Sequence, residues 1–358
     1  VKRILILSAN FGEGHNSAAR GVRDGLARIS PDSVVEMRDL FAETYGAFNE
    51  WIRRAYLGLI NRWPRSWGLV YRWLDRKTDF PGDFAKFRRL HARLTKLLQQ
   101  FKPDSVVSTF PAYPYFIGAI TDKNQRPKNV VIVTDSITVN AIWCQAPGDY
   151  FLLPNEQSAI IAGRGGMPGN RIKVFGFPVS PKFADFAPAD GAALAPERVL
   201  YMVNAGTRSA PELVQRLLAL DVELTVTVGR DENLRRKIAE VSRGQKIEIV
   251  GWTNEMPRLL SESDILIGKA GGATVQEAIA AGCPMIINHI VAGQEEGNAQ
   301  LIVETNSGAR ANSPTDACAE VKRAFADGGA VWREWKTNIA KLSRPRASLD
   351  IAEFLLSI

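Results

Sequence analysis

Long apolar runs are missing from this 358-residue chain. No stretch approaches the roughly 18 unbroken apolar residues that a spanning helix needs. Cysteine is scarce, and Cys144, Cys283 and Cys318 are too far apart for a disulfide framework or a metal-ligand spacing. There is no Asp-x-Asp pair, no Walker-type Lys-Ser/Thr ending to a glycine-rich turn, no internal repeat and no low-complexity tract. These absences argue against a membrane-spanning protein, a secreted disulfide scaffold, a metal-escorted nucleotide site and a solenoid. The first residues run directly into an apolar strand without a signal-peptide pattern, so a cytoplasmic location is expected.

What is present is an excess of positive charge, +7 overall, which favours anionic partners. Short apolar runs alternate with helical periods in two halves. In the first half they are Lys2–Ser8, Ser105–Ser108, Asn129–Thr134 and Tyr150–Pro154. In the second they are Arg198–Val203, Glu223–Val228, Ile247–Val250, Ile265–Ile267 and Pro284–Asn288. Such alternation predicts parallel sheets covered by helices. The Ala-, Pro- and Gly-rich stretch Ala184–Pro196 reads as the joint. The expected organisation is a domain over 1–183, a second over 197–340, and a helix in 341–358 packing back on the first. Two such domains would face each other across a cleft, with ligands at the carboxyl ends of the strands.

Residues 51–102 carry thirteen Lys or Arg against three Asp, with tryptophan at Trp51, Trp63, Trp67 and Trp73. Interleaved aromatic and basic residues suit an anionic bilayer surface. Trp51, Arg53, Arg54, Trp63, Trp67 and Trp73 are therefore the candidate membrane and acceptor contacts. The plain alternative is a pair of core helices with a solvated basic face. Stacking of nucleic-acid bases on these rings finds no support in the rest of the chain, and no nucleic-acid partner is expected.

In the second half, a buried run reaches Lys269 and the small residues Gly271, Gly272 and Ala273, with Thr274 opening a helix. Backbone N–H groups approach an anion closely there, and the helix N-terminus favours it. Glu277, one helical turn on, can accept from ribose hydroxyls, although an isolated helix-surface Glu is more often solvated. Gly251 and Trp252 end another strand and can present backbone to a base. Gln294, Glu295 and Asn298 supply donors and acceptors suited to sugar hydroxyls. Thr207 and Arg208, Arg230 and Lys269 are candidate diphosphate contacts.

In the first half, Ala9-Asn10-Phe11-Gly12-Glu13-Gly14-His15 is a glycine-rich turn before a helix-like segment, Ser17–Ile29. His15, with an ordinary value near pKa 6.5, suits proton removal at neutral pH. Gly14 shares this turn and is placed with the donor. Asp135 ends a strand-like run and either orients His15, as a triad carboxylate does, or is itself the base. The plain alternatives are a helix-capping His15 and a turn-capping Asp135.

Gly271-Gly272-Ala273-Thr274-Val275-Gln276-Glu277-Ala278, then Cys283-Pro284-Met285-Ile286-Ile287-Asn288, then Gly293-Gln294-Glu295-Glu296-Gly297-Asn298, resemble the donor domain of monogalactosyldiacylglycerol synthase-type enzymes and bacterial diacylglycerol glycosyltransferases. The peptidoglycan UDP-N-acetylglucosamine transferase is a more distant relative. The turn at residues 9–19, Val133-Thr134-Asp135 and Pro154-Asn155-Glu156 are similar to segments of the same family's first half, and Gly176-Phe177-Pro178-Val179 resembles its interdomain Gly-x-Pro turn. The resemblance implies an α/β GT-B fold of two Rossmann-like domains. It also implies inverting, metal-independent transfer of a hexose from a UDP-sugar to a diacylglycerol-type lipid, at the cytoplasmic face of an anionic membrane. The UDP-sugar is a substrate, and no cofactor is expected. By the same motifs, Gly251 and Trp252 would meet uracil; Gly271, Gly272, Ala273 and Thr207 the diphosphate; Glu277 the ribose; and Gln294, Glu295 and Asn298 the hexose.

Two departures concern the acceptor. The first glycine of the usual turn is replaced by Asn10 or Phe11, and a frequent His-Pro is replaced by Asn140-Ala141 ahead of Trp143. A UDP-sugar epimerase or hydrolase on the same fold, an N-acetylglucosamine transferase for another lipid-linked acceptor, and a non-catalytic binder are the competing readings.

Overall fold

The computed structural model describes every residue except 63–79, 121–125, 187–196, 205 and 292–294, and leaves out the side chains of 52, 53, 55–62 and 81. The described chain forms two compact units. One comprises Val1–Pro181, Val291–Gly297 and Arg344–Ile358; the other comprises Lys182–Ile290 and Asn298–Ser343.

The first unit is built on six parallel strands in the order β2-β1-β3-β4-β5-β6. They are β1 (Arg3–Leu7), β2 (Val34–Arg38), β3 (Ser105–Ser108), β4 (Lys128–Ile132), β5 (Tyr150–Leu153) and β6 (Ile172–Val174). β1 is apolar and buried from Ile4 to Leu7 because both of its faces are covered. Ile4 and Ile6 point to a layer containing Ala19, Val22, Leu26, Ile351 and Leu355. Leu5 and Leu7 alternate to the opposite face and join Leu90, Leu94, Leu98, Phe101, Tyr113 and Phe116.

The helix Ala347–Ser357 packs on the helix Glu13–Ile29. Their approach is close at Gly25, where a Cβ would fall 2.3 Å from the Ser348 carbonyl oxygen, so any side chain there would separate the pair.

The second unit repeats the plan, with strand order β12-β11-β10-β7-β8-β9, all parallel. Its strands are β7 (Arg198–Met202), β8 (Glu223–Gly229), β9 (Ile247–Gly251), β10 (Ile265–Lys269), β11 (Met285–His289) and β12 (Gly308–Arg310). The helical segment Pro314–Leu342 covers one face. It is broken at Ala326–Gly329, where three successive residues, Asp327, Gly328 and Gly329, adopt positive φ. Past the break, Trp335 is fully buried, and the Trp332 indole donates to the Asp264 carbonyl at 2.8 Å.

Each sheet reverses its winding once, between β1 and β3 in the first unit and between β7 and β10 in the second. The carboxyl ends of the strands flanking such a reversal form the natural ligand crevice of an open α/β sheet. Both glycine-rich turns singled out in the sequence emerge there. Helix starts lie earlier than the sequence suggested. The first helix begins at Glu13 rather than Ser17, with Gly12 as its N-cap, so His15 stands in its first turn. The second begins at Gly272 rather than Thr274. In the second case the small residues Gly272 and Ala273 continue the helix toward its strand.

Candidate functional site

At the first reversal, the turn after β1 is tied down by side chains. Ser8 Oγ donates to Asn16 Oδ1 at 2.7 Å, and the Asn10 amide donates to Asp39 Oδ2 at 3.0 Å. The Tyr113 hydroxyl donates to the Ser8 carbonyl. His15 Nδ1 lies 2.8 Å from the Thr109 carbonyl and 3.0 Å from Thr134 Oγ1. These two partners follow β3 and β4, so three strand ends converge on one imidazole. A Cβ at Gly14 would meet nothing within 4 Å among the described residues, so their packing does not demand glycine there.

Phe110 meets the His15 ring edge-on at 5.2 Å, and Trp143 lies 6.2 Å away. Phe11, at the position of the sequence departure, stacks on Phe110 at 5.7 Å. Burial pushes the His15 pKa down to about 4, with the Thr109 bond opposing part of that shift. This corrects the expectation of an ordinary histidine near 6.5. Because the ring keeps some solvent exposure, the downward direction rests on crowding by Phe110 and Trp143 rather than on full enclosure. At neutral pH the imidazole is uncharged.

Asp135 lies three residues beyond β4 rather than at its end. Its Oδ2 accepts from Trp143 Nε1 at 3.0 Å. The bonds that aim His15 Nδ1 therefore come from a carbonyl and a hydroxyl, while this carboxylate oxygen is engaged by an indole. Sequence reasoning did not single out Thr109, Phe110, Thr134 or Trp143 for roles here. Thr134 was visible within the Val-Thr-Asp match and Trp143 beside the Asn140-Ala141 departure, while Thr109 and Phe110 had no local signal.

At the second reversal, Ala270 is held from two sides. Its N–H donates to the His289 carbonyl at 2.9 Å, and its carbonyl accepts from Asn298 Nδ2 at 3.0 Å. This fixes the turn from which the helix Gly272–Ala280 starts. Its N-cap is Gly271, with no side-chain cap, and the N–H groups of Gly272, Ala273 and Thr274 lack intrahelical acceptors. Such a terminus suits an anion.

The buried Thr274 hydroxyl lies 3.5 Å from Asn204 Nδ2 and points to the Met202 sulfur, so this side chain knits β7 to the helix. Asn204 was another residue without a sequence signal of its own. Glu277 is half-buried one turn on, and Thr207 and Arg208 are exposed in the turn after β7.

Arg230 and Trp252 follow the paired ends of β8 and β9, where Gly229 is in register with Gly251. The Arg230 guanidinium sits 5.2 Å from the Trp252 ring centroid, and Trp252 is 65% exposed. Two residues proposed separately from sequence are thus one stacked pair.

Two hexose candidates have polar groups committed within the protein. Asn298 is buried, and its amide is the one gripping Ala270. Glu295 is also buried, and its Oε2 accepts from the Val291 N–H at 2.9 Å while its own N–H donates to the Val291 carbonyl. These contacts shape the loop, a task the sequence reading had not foreseen for either residue. The loop belongs to the first unit. It passes Ser136–Thr138 so closely that a Cβ at Gly297 would lie 2.3 Å from Thr138 Oγ1. Gln294 lies outside the described residues.

Among the membrane candidates, Trp51 is 65% exposed and stacks on the 60% exposed Phe48 at 6.1 Å. Arg54 is exposed and pairs with Glu50. Trp63, Trp67, Trp73 and the Arg53 side chain lie outside the described residues. No described helix is long and apolar enough to cross a membrane.

Two Rossmann-like units, each with a ligand-type turn at its winding reversal, define the GT-B class. The sequence model for monogalactosyldiacylglycerol (MGDG) synthase matches residues 15–179, and that for the glycosyltransferase family 28 C-terminal domain matches residues 202–318. These two matches, which together take in most of the chain, are to glycosyltransferases of the MGDG synthase and family 28 group. The chain is 26% identical to the processive diacylglycerol beta-glucosyltransferase of Bacillus subtilis, over 99% of this chain and 95% of that one. It is also 26% identical to a probable chloroplastic monogalactosyldiacylglycerol synthase of Glycine max, over 99% and 71%. Among solved structures, MurG of Acinetobacter baumannii aligns with a TM-score of 0.64 at 13% identity, covering all of both chains. The UDP-GlcNAc 2-epimerase of Neisseria meningitidis aligns at 0.59 with 14% identity, again over both whole chains. At these identities the structural likeness speaks for the fold.

Proposed function

We propose that this protein is an inverting, UDP-sugar-dependent hexosyltransferase that acts on a diacylglycerol-type lipid and works as a peripheral protein on the cytoplasmic face of an anionic membrane. The observation that carries the reading is the placement of His15, held by backbone and hydroxyl and walled by Phe110 and Trp143. A neutral imidazole accepts a proton. An aromatic surround suits an acceptor hydroxyl carried on an apolar body rather than one surrounded by other hydroxyls.

The acceptor oxygen attacks the anomeric carbon as its proton passes to His15. The bond from that carbon to the diphosphate breaks, and its electron pair leaves with UDP. The N–H groups at the start of the helix Gly272–Ala280, with Thr207 and Arg208, receive that charge without a metal ion. Glu277 takes the ribose, and the Arg230–Trp252 pair meets the base. In this reading the first unit receives acceptor and membrane, and the second binds the nucleotide. The names of the Bacillus subtilis and Glycine max relatives support a diacylglycerol acceptor.

The test is incubation of the purified protein with labelled UDP-glucose, UDP-galactose, UDP-glucuronate and UDP-N-acetylglucosamine, with and without diacylglycerol in anionic vesicles. A labelled lipid product formed with one donor supports the reading and identifies the hexose. UDP released equally without lipid would make the protein a hydrolase, and conversion of the nucleotide sugar into an isomer would make it an epimerase.

A further inference from the structure

In a transferase that uses His15 as its base, one ring nitrogen must be kept free of its proton, and something must hold the other. A carboxylate was the sequence expectation. The geometry supplies a different pair.

Thr109 is fixed to the sheet, its N–H donating to the Leu7 carbonyl at 3.0 Å and its side chain buried. Thr134 is buried too, and the preceding Val133 N–H donates to the Leu152 carbonyl at 2.9 Å. The Thr109 carbonyl can only accept, so the nitrogen facing it at 2.8 Å carries the proton. Thr134 Oγ1, 3.0 Å from that same nitrogen, accepts a second branch of the bond and fixes the turn of the ring.

We propose that Thr134 is a positioning residue that, with the Thr109 carbonyl, holds His15 in the tautomer protonated at Nδ1, so that Nε2 is the atom that takes the acceptor's proton. The orienting task expected of Asp135 falls instead to these two neutral groups. A neutral partner has a chemical consequence. It selects the tautomer without placing a full negative charge behind the imidazole, so the ring stays uncharged until the acceptor hydroxyl delivers its proton.

This inference rests on the transferase reading for its kinetic consequence, but not for the tautomer itself. The chain has only three histidines, so nitrogen-15 NMR of the full-length, histidine-labelled protein can assign each ring, with His15→Gln identifying the signal of interest. The wild type should show His15 protonated at Nδ1. Thr134→Val keeps the shape and removes the hydroxyl. It should shift a measurable fraction to the other tautomer and lower kcat roughly 10-fold, a part of the roughly 10²–10⁴-fold that a general base contributes. The UDP-sugar KM should stay within about twofold. Thr134→Ser should restore both readouts, and Asp135→Asn should leave the tautomer unchanged. If Thr134→Val does not fold, Thr134→Ala is read against the same criteria.

His15 protonated at Nε2 in the wild type would overturn the proposal. So would a tautomer unmoved by loss of the Thr134 hydroxyl, or one that changes with Asp135→Asn. If the tautomer behaves as described but no lipid is glycosylated, the positioning stands and the lipid-transfer reading fails.

Discussion

The two winding reversals solve opposite electrostatic problems with the same topology. The one in the first unit surrounds a titratable ring with Phe110, Trp143 and, behind them, Phe11, and keeps it uncharged. The one in the second unit brings small residues, unbonded helix N–H groups and nearby cationic side chains to the strand ends. Aromatic crowding suits a group that must lose and regain a proton, while bare backbone suits an anion that must be received. A Rossmann-like unit does not dictate chemistry; the residues placed at its reversal do.

The difference can be broken from the first unit most severely. His15→Ala should lower lipid glycosylation by about 100-fold or more, while UDP affinity by calorimetry stays within about twofold. Turnover at the wild-type rate would remove His15 from the chemistry.

In the second unit, Asn298→Ala leaves the Ala270 carbonyl without its buried partner, a loss of about 1–3 kcal/mol. UDP should bind roughly 10-fold more weakly, and the melting temperature should fall. Unaltered UDP binding would mean the turn holds its shape without Asn298. Glu277→Ala should raise the donor KM about fivefold with kcat little changed, as expected for loss of a binding contact. An unchanged KM excludes a ribose contact.

The smallest expected effect sharpens the contrast through pH. The folded pKa of His15, about 4, lies below the unfolded value of 6.5. The folded form therefore binds fewer protons between those limits. The stability tied to this ring is complete above pH 6.5 and is lost as pH falls toward 4. The most this can contribute is about 3 kcal/mol, from 1.36 kcal/mol per pKa unit, and the ring's partial exposure reduces it. Denaturation midpoints of wild type and His15→Gln, compared from pH 7 to 4, should diverge least at the acid end. Parallel curves would show that crowding does not suppress protonation.

Much of this fold was legible because buried parallel strands leave unbroken apolar runs such as Ile4–Leu7 and Ile265–Ile267. The Gly271-Gly272 turn was equally plain, since few other residues let backbone approach a ligand so closely. The partners of His15 were not legible. Thr109 and Thr134 lie 94 and 119 residues away, and one of them acts through its backbone, which every residue possesses. The depressed pKa was hidden for the same reason, being imposed by Phe110, just past β3, and by Trp143, in the short helix Ala141–Cys144. Asn298 has a task the sequence did not show, its side-chain amide donating to the Ala270 carbonyl of its own unit. The pairing of Arg230 with Trp252 became visible only once β8 and β9 were seen in register.

The placement of Arg344–Ile358 in the first unit bears on how the protein is made. That unit's sheet is specified by the first half of the chain. Yet the face of its helix Glu13–Ile29 at Gly25 stays uncovered until Ser348 has left the ribosome. During synthesis the second unit, contained within Lys182–Ser343, can finish folding while the first still waits for its last helix. A premature stop after Ser343 would leave that apolar face without the cover of Ile351, Ala352 and Leu355.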